Sequence, residues 1–418
     1  MRRFFVFLLL TLWSITTMAQ ISRITVMHYN LLQYGTSYGG CTSYNNNIQH
    51  KDECIRTILD YVKPDVFSVC EFGKDPKLQA DFLKNNLNIG SVNYWKSDNI
   101  LSSTTIINHI FYDSRKMELK KHFALYTSPR NSDVYEFYLK TSALVAGDTI
   151  KLVCIVTHPK AGTGTSNEND RYQTMKTIMD CVNQRYSQEN VLVMGDFNIY
   201  GDDEPAYQVL THTYGNQEAL FVDPLEAEDG VGSWNNDSKY AQFHTQSTRN
   251  PGNDCFSTGG MDDRFDMILV SDEIAMCEKK IQYIDQSYYA VGNDGRHFNQ
   301  SINQNGNSAV PANVAQALYD SSDHLPVSLK LRIHGDVGLE ENQMTSYRVY
   351  PNPTTDILTV DYPGKATYRI MNLMGQTLMS GSINGESQQI HVSELPNGFY
   401  FISVNGVISK FVKSSALY

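Results

Sequence analysis

Asn190-Val191-Leu192-Val193-Met194-Gly195-Asp196-Phe197-Asn198 is the stretch on which the fold turns. A short, β-branched and apolar run follows a helix-like segment rich in Gln, Arg and Glu, and it stops at a glycine. That reads as a buried strand of an α/β layer, with Gly195 letting the backbone turn sharply at its end. Side chains alternate along a strand, so Asp196 and Asn198 should leave its carboxyl end on one side while Phe197 packs the other way. A carboxylate and an amide side by side can hold and polarise a water without both carrying charge. Gly, Asp and Asn also gather in ordinary turns, so the rest of the chain has to decide.

Working outward, other apolar runs end in the same manner. Residues 21–29 alternate as a strand that ends in Asn30, and residues 48–62 have helical spacing, with Ile55, Ile58, Leu59 and Val62 on one face. Lys63-Pro64-Asp65 breaks that helix, and residues 66–70 form the next strand, with Glu71 at its end. Strand–helix–strand with a polar residue at each strand end is how α/β folds gather a site. Glu71 could instead cap the following turn, but Glu is rarely buried unpaired and rarely ends so apolar a strand. Residues 106–112 and 134–139 look like antiparallel strands. Arg130, just before the second, reads most simply as a solvated loop charge. Residues 151–156 then deliver Thr157-His158-Pro159-Lys160. A lone histidine after a strand is usually structural, but this is the third strand in a row to end in a residue capable of chemistry.

Residues 161–167 lack the Gly-Lys-Ser/Thr ending of a phosphate-cradling loop and read as a flexible loop before a helix over 170–187. Residues 201–260 are polar and read as loops or insertions. Arg264-Phe265-Asp266 leads into another strand, a polar segment carries Asp294, Arg296 and His297, and Ser322-Asp323-His324 opens the last strand of this part.

At 418 residues the chain has room for two domains. A formal net charge of −11 argues against a protein that coats nucleic acid by bulk electrostatics. It leaves open an enzyme that turns over a phosphodiester with a bound cation and a few placed Arg or Lys. Arg2 and Arg3, an apolar core over 4–13 and Thr17-Met18-Ala19 predict a secretory signal over 1–19, read as ordinary export. That core is too short to span a membrane, and no later stretch is long enough. Seven cysteines leave one thiol over if the rest pair. Cys41 and Cys54 flank a polar loop and are the expected pair, whereas Cys70 and Cys154 sit in strand-like runs as small buried hydrophobes. No Cys-x-x-Cys spacing suggests zinc.

Asn30, Glu71, His158, Gly195-Asp196-Phe197-Asn198, Asp266 and Ser322-Asp323-His324 thus stand in order at strand ends. Over roughly residues 21–335 this resembles the endonuclease/exonuclease/phosphatase superfamily, which includes deoxyribonuclease I, abasic-site endonucleases, bacterial sphingomyelinases and inositol phosphatases. The resemblance implies an α/β (α+β) four-layer sandwich over 20–335, with two mixed sheets face to face and helices outside. It implies that Glu71 is the main ligand of Mg2+ or Mn2+ (Ca2+ being a further candidate), with Asn30 and Asp323 nearby. Hard oxygens suit such an ion, which keeps several waters. Asp196 and Asn198 would orient the attacking water, and His324 would be general base or phosphate contact. His158 would lie across the scissile phosphate and serve the leaving oxygen or the pentacovalent state. Asp266 would fix the tautomer of one histidine. Arg130 matches a phosphate-contacting Arg more loosely, and Lys160 and Arg296 would join it in a local positive patch. Leu32 and Gln33 stand where some relatives have an acid, implying a sparser metal shell, and Pro159 stands where relatives often have Leu.

Residues 336–346 read as a polar linker. Beyond them, Tyr350-Pro351-Asn352-Pro353, Pro396-Asn397-Gly398-Phe399-Tyr400 and Lys410-Phe411-Val412-Lys413 punctuate short alternating strands. Residues 347–418 resemble the type A sorting domain of the bacterial type IX secretion system, a small all-β sandwich; an adhesive or carbohydrate-binding sandwich is the alternative. The expectation is a secreted, monomeric, divalent-metal-dependent phosphodiester hydrolase, foremost a nuclease acting on DNA or RNA, with the type IX machinery as partner. A sphingomyelinase-like phospholipid phosphodiesterase and a non-catalytic surface binding protein are the alternatives.

Overall fold

The computed structural model describes residues 22–102, 104–140, 149–212, 220–225, 233–334, 347–362, 364–373, 376–385, 387–404 and 407–414. The expected signal segment and the expected linker 336–346 lie outside the described residues.

Two sheets carry the first part of the chain. One runs β11 (Ile281–Tyr283), β13 (Val327–Ile333), β1 (Ser22–Tyr34), β2 (Val66–Gly73), β4 (Ile106–Asp113), β3 (Trp95–Lys96), with β12 (Tyr289–Ala290) also paired to β13. The other runs β5 (Met117–Leu125), β6 (Ser132–Leu139), β7 (Lys151–Thr157), β8 (Asn190–Asp196), β10 (Asp266–Ser271), β9 (Phe221–Val222). Each is mixed in the same way: β1 and β2 are parallel in the first, β7 and β8 in the second, and their other neighbours are antiparallel.

The alternation along β8 shows how these sheets stack. Leu192 and Met194 join Val26, Val66, Ile110 and Leu329 of the first sheet in a core between the sheets. Val191 and Val193 face the other way, onto Met175, Ile178 and Val182 of α3 (Thr165–Arg185) and Leu210 of α4 (Pro205–Thr211). On the far side, Phe67, Val69 and Phe111 of the first sheet meet α1 (Ile48–Val62), Phe82 of α2 (Pro76–Phe82), and Val314 and Leu318 of α6 (Ala312–Ser321). The order is helix, sheet, sheet, helix, the expected four layers. A short α5 (Asp272–Met276) follows β10 and adds Ile274 to the central core. Among the described residues no helix is long and apolar enough to cross a membrane.

Local signals account for the helix ends. Asn47 caps α1 by accepting the His50 N–H at 3.0 Å, and Lys63 ends it in the left-handed region before Pro64. Helix α3 starts at Thr165, inside the segment expected to be loop, because Gly164 at φ +98° breaks the chain there. The polar segment 201–260 is not all loop, since it holds α4.

Three expectations are corrected. Gly195 does not make the turn: a Cβ there would lie 1.9 Å from the Thr157 carbonyl oxygen, so glycine lets β7 and β8 close up, and the turn falls at Asn198, φ +52°. Strand β1 does not end at Asn30 but continues to Tyr34 through an irregularity in its register with β2. The disulfide joins Cys41 to Cys255, 214 residues away, while Cys54 is a buried free thiol on α1.

In the C-terminal part, β14 (Arg348–Tyr350), β15 (Ile357–Asp361) and β18 (Ser387–His391) form one sheet. The strands β16 (Lys365–Met371), β17 (Thr377–Asn384), β19 (Gly398–Val404) and β20 (Val407–Lys413) form another. Leu358, Val360, Ile370, Ile383, Ile402 and Phe411 make a core drawn only from this part.

Candidate active site

Where β1 and β2 fall out of register, Leu32, Gln33 and Glu71 all take positive φ, at 42°, 53° and 55°. Such backbone costs about 1–3 kcal/mol per residue and persists where the surroundings hold it. Here Gln33 holds it, donating its backbone N–H (3.0 Å) and side-chain Nε2 (2.9 Å) to Glu71 Oε2. Gln33 is therefore a two-fold donor to the Glu71 carboxylate.

Asn30 sits beside this irregularity, fully buried. Its Oδ1 accepts the Leu32 N–H at 2.9 Å, which turns Nδ2 toward Glu71 Oε1 (3.3 Å) and Asp196 Oδ2 (3.0 Å). Asn30 Nδ2 thus bridges two carboxylates. Asp196 Oδ2 also lies 3.4 Å from His158 Nε2 and 3.7 Å from His324 Nε2, and His158 Nε2 lies 4.0 Å from Glu71 Oε1. Asp196 Oδ1 accepts the Asn198 N–H at 3.1 Å, while Phe197 points into the helix-side core. Asp196 and Asp266 face each other in the β8–β10 register, and Asp266 Oδ2 holds His324 Nδ1 at 2.7 Å. The histidine that Asp266 supports is His324.

Burial governs the charges. It raises Glu71, with Asp323 and Asp196 adding to the rise, and it pushes Asp196 up to about 6. It drives His158 well below an ordinary imidazole, and Arg130 and His324 add to that. His158 is neutral, and the carboxylates facing Nε2 place its proton there. Burial also works against charge on His324, but Asp266 and Asp196 outweigh it and raise the ring well above its usual value. The buried Asp266–His324 pair therefore keeps its shared proton on the imidazole.

Four buried polar atoms of the cluster lack a protein partner: His158 Nδ1, Asn198 Nδ2, Asp266 Oδ1 and Asp323 Oδ1. Asp323 Oδ2 accepts the Ser257 N–H at 3.0 Å. Buried orphans are uncommon, and several in one cluster mark a place where water or a ligand completes the bonding.

The three basic residues fare differently. Arg130 is no solvated charge: Nε donates to the His158 carbonyl at 2.8 Å and Nη2 to that of Pro159 at 2.6 Å, so it clamps the backbone carrying His158. Lys160 donates to the neighbouring Ala161 carbonyl at 3.0 Å. Arg296 lines an open polar cleft of about 360 Å³ with Asp294, His297 and Gln304, and none of the cluster's residues lines it.

Several supporting residues escaped the sequence reading. Gln246 places its amide 2.6 Å from His324 Nε2, and its backbone pairs with both Asp263 and His324. Asp263 is pushed up to about 7 by burial and by Asp262. Arg171 is fully buried and makes a two-pronged pair with Glu204 (2.8 and 3.0 Å) while donating to the Lys160 and Gly162 carbonyls. Glu204 also accepts the Tyr200 N–H at 2.9 Å, so this pair ties the segment after His158 to the segment after Asn198. The polarity of 201–260 hinted at Gln246 and Glu204 alone.

Residues 348–415 match the family model of the secretion system C-terminal sorting domain, so the C-terminal part of the chain is a sorting domain. No curated protein matches the chain. Among solved structures, an endonuclease/exonuclease/phosphatase family protein from Bacteroides thetaiotaomicron is similar at 14% identity and TM-score 0.46, over 75% of this chain and 99% of that one. D. rerio TDP2 complexed with single strand DNA product is similar at 13% identity and TM-score 0.46, over 74% and 99%. A mannosyl-6-phosphatase from B. thetaiotaomicron is similar at 14% identity and TM-score 0.43, over 74% and 99%.

Proposed function

We propose that the protein is an exported, divalent-metal-dependent phosphodiester hydrolase whose substrates are nucleic acids. The observation that carries this is the single oxygen, Asp196 Oδ2, shared by Asn30 and two histidines held in opposite protonation states. In-line hydrolysis of a phosphodiester needs an oriented water, positive charge on the phosphate oxygens and a proton for the leaving oxygen.

Each need has a residue. Asp196, ionised above about pH 6, takes a proton from the attacking water as its oxygen bonds to phosphorus, with Asn198 Nδ2 free to orient that water. His324, held as an imidazolium by Asp266, contacts the phosphate and gives its proton to the leaving oxygen as the P–O bond breaks. Neutral His158 donates a hydrogen bond from Nε2 toward the pentacovalent oxygens. The donor set also fits a hard divalent cation: Glu71 is raised by burial and then by Asp323 and Asp196, and Asp323 Oδ1 is buried without a partner. Glu71 and Asp323 would hold such an ion, which supplies charge neutralisation when bound.

Nucleic acid is favoured by exposed aromatics on segments anchored to the cluster. Tyr126 (89% exposed) precedes the turn that Arg130 clamps onto His158, and Tyr44 (96%) lies in the loop that Cys41 pins to Cys255. Bases stack on such side chains without sequence preference. The sorting domain supports export through the type IX machinery. Plasmid, RNA and sphingomyelin, each incubated with the purified protein in Mg2+ and in EDTA, test the reading. Metal-dependent cleavage of plasmid or RNA is expected, and turnover of sphingomyelin alone would replace it with the lipid enzyme.

A further inference from the structure

Away from that cluster, a second group of ligating side chains lies where α1 meets the end of α6. His50 and Cys54 stand four residues apart on α1, so both project from one helix face. Asp320 belongs to α6. His50 Nε2 lies 3.8 Å from Cys54 Sγ and 3.6 Å from Asp320 Oδ2, and the three ligand atoms all lie within 4.8 Å of one another. Zinc bonds of about 2.3 Å to sulfur and about 2.0–2.1 Å to nitrogen and oxygen put tetrahedral neighbours roughly 3.3–3.6 Å apart. The His50–Cys54 and His50–Asp320 separations need a contraction of only a few tenths of an ångström.

The surroundings match as well. Glu53 Oε2 lies 3.9 Å from His50 Nδ1, the ring nitrogen that would face away from an ion bound at Nε2. Metal-bound histidines commonly have a carboxylate in that place. Arg249 Nη2 lies 3.5 Å from Asp320 Oδ1, steadying the carboxylate through its other oxygen. His50 is more than half exposed, which leaves a path in from solvent.

We propose that His50, Cys54 and Asp320 form a zinc site that clips α1 to α6, with water in the fourth position. Binding displaces the Cys54 proton to solvent and leaves a thiolate on the metal, so affinity rises with pH. This site is separate from the hydrolytic cluster and stands or falls independently of it.

Cobalt(II) is the probe, because thiolate-to-cobalt charge transfer gives a near-ultraviolet band that oxygen-ligated cobalt lacks. Titrating the full chain should raise this band to one equivalent, Zn2+ should abolish it, and Cys54→Ser should remove it. His50→Ala, on the exposed side, should weaken Co2+ binding if Cys54→Ser fails to fold. Glu53→Gln should weaken it by about 10–100-fold, as loss of such supporting partners does. Mg2+-supported hydrolysis should be unchanged in His50→Ala. Among the described residues, Cys70, His158 and Asp196 also bring ligating atoms within 4.8 Å of one another. Absence of the band, or a band lost in Cys70→Ser and kept in Cys54→Ser, overturns the proposal.

Discussion

Asp196 Oδ2 meets an amide and two imidazoles at once, so its protonation state decides what the cluster can do. A carboxyl raised by burial is protonated, and useless as a base, below its raised value. Activity should therefore fall as pH drops through about 6, as Asp196 takes up its proton. A pH profile of kcat/KM on a small phosphodiester, flat from about pH 5 to 8, would remove Asp196 from the base role. Asp196→Asn and His324→Ala should each lower kcat by about 10²–10⁴-fold with little change in melting temperature, since acid–base groups contribute that much. Asp266→Asn should slow turnover too, and it should leave a signature of its own. The imidazole of His324 loses the carboxylate that holds its proton, so its NMR titration should move to lower pH.

At the scale of elements, the site depends on how neighbouring segments are braced. Gly195→Ala would press a Cβ into the Thr157 carbonyl and force β7 from β8, so the variant should fold poorly or not at all, read by circular dichroism. Arg171→Met leaves Glu204 buried without its partner, a change that costs about 3–5 kcal/mol in comparable pairs. It should also misplace the segments that carry His158 and Asn198. Chemical denaturation gives the first effect and kcat the second; normal kcat in a folded variant would show that the brace serves stability alone. Reduction of Cys41–Cys255 should cost about 2–5 kcal/mol, and it frees the stretch in which the Ser257 N–H steadies Asp323. The strands, α1 and the inward or outward face of Phe197 were legible in the sequence because periodicity is local. The cysteine pairing was not, because 214 residues separate the partners and Cys54 offered itself nearer in the chain. The clamp made by Arg130 was hidden for a similar reason: the sequence does not show that the fold brings the His158 and Pro159 carbonyls to it. Gln246 carried no signal at all, since its value lies in what crosses over to meet it.

At the scale of the whole molecule, the C-terminal part has its own apolar core, and no residue of it lies in the hydrolytic cluster. Deleting residues 346–418 should therefore leave hydrolysis in vitro unchanged and abolish release from the producing cell; loss of activity in a soluble truncated protein would tie the sorting domain to the site. The net charge of −11 raises a different question, because a polyanion then has to be held by a local patch against an unfavourable overall field. Phosphate contacts release counterions, so apparent affinity for duplex DNA should fall by about 0.9 log units per decade of salt for each phosphate neutralised. Lys160 and Arg296 are the basic side chains whose removal tests this without disturbing the cluster. Lys160→Ala should make the slope shallower. Arg296→Ala should do so only if the duplex reaches the separate cleft it lines, so its slope measures how far the substrate extends. Arg130→Ala should behave otherwise, lowering kcat because it loosens the backbone of His158. A lipid hydrolase would answer to interface and head group instead. Kinetics on a short duplex at several salt concentrations, repeated with heparin as competitor, separates the two, and indifference to both would sink the nuclease.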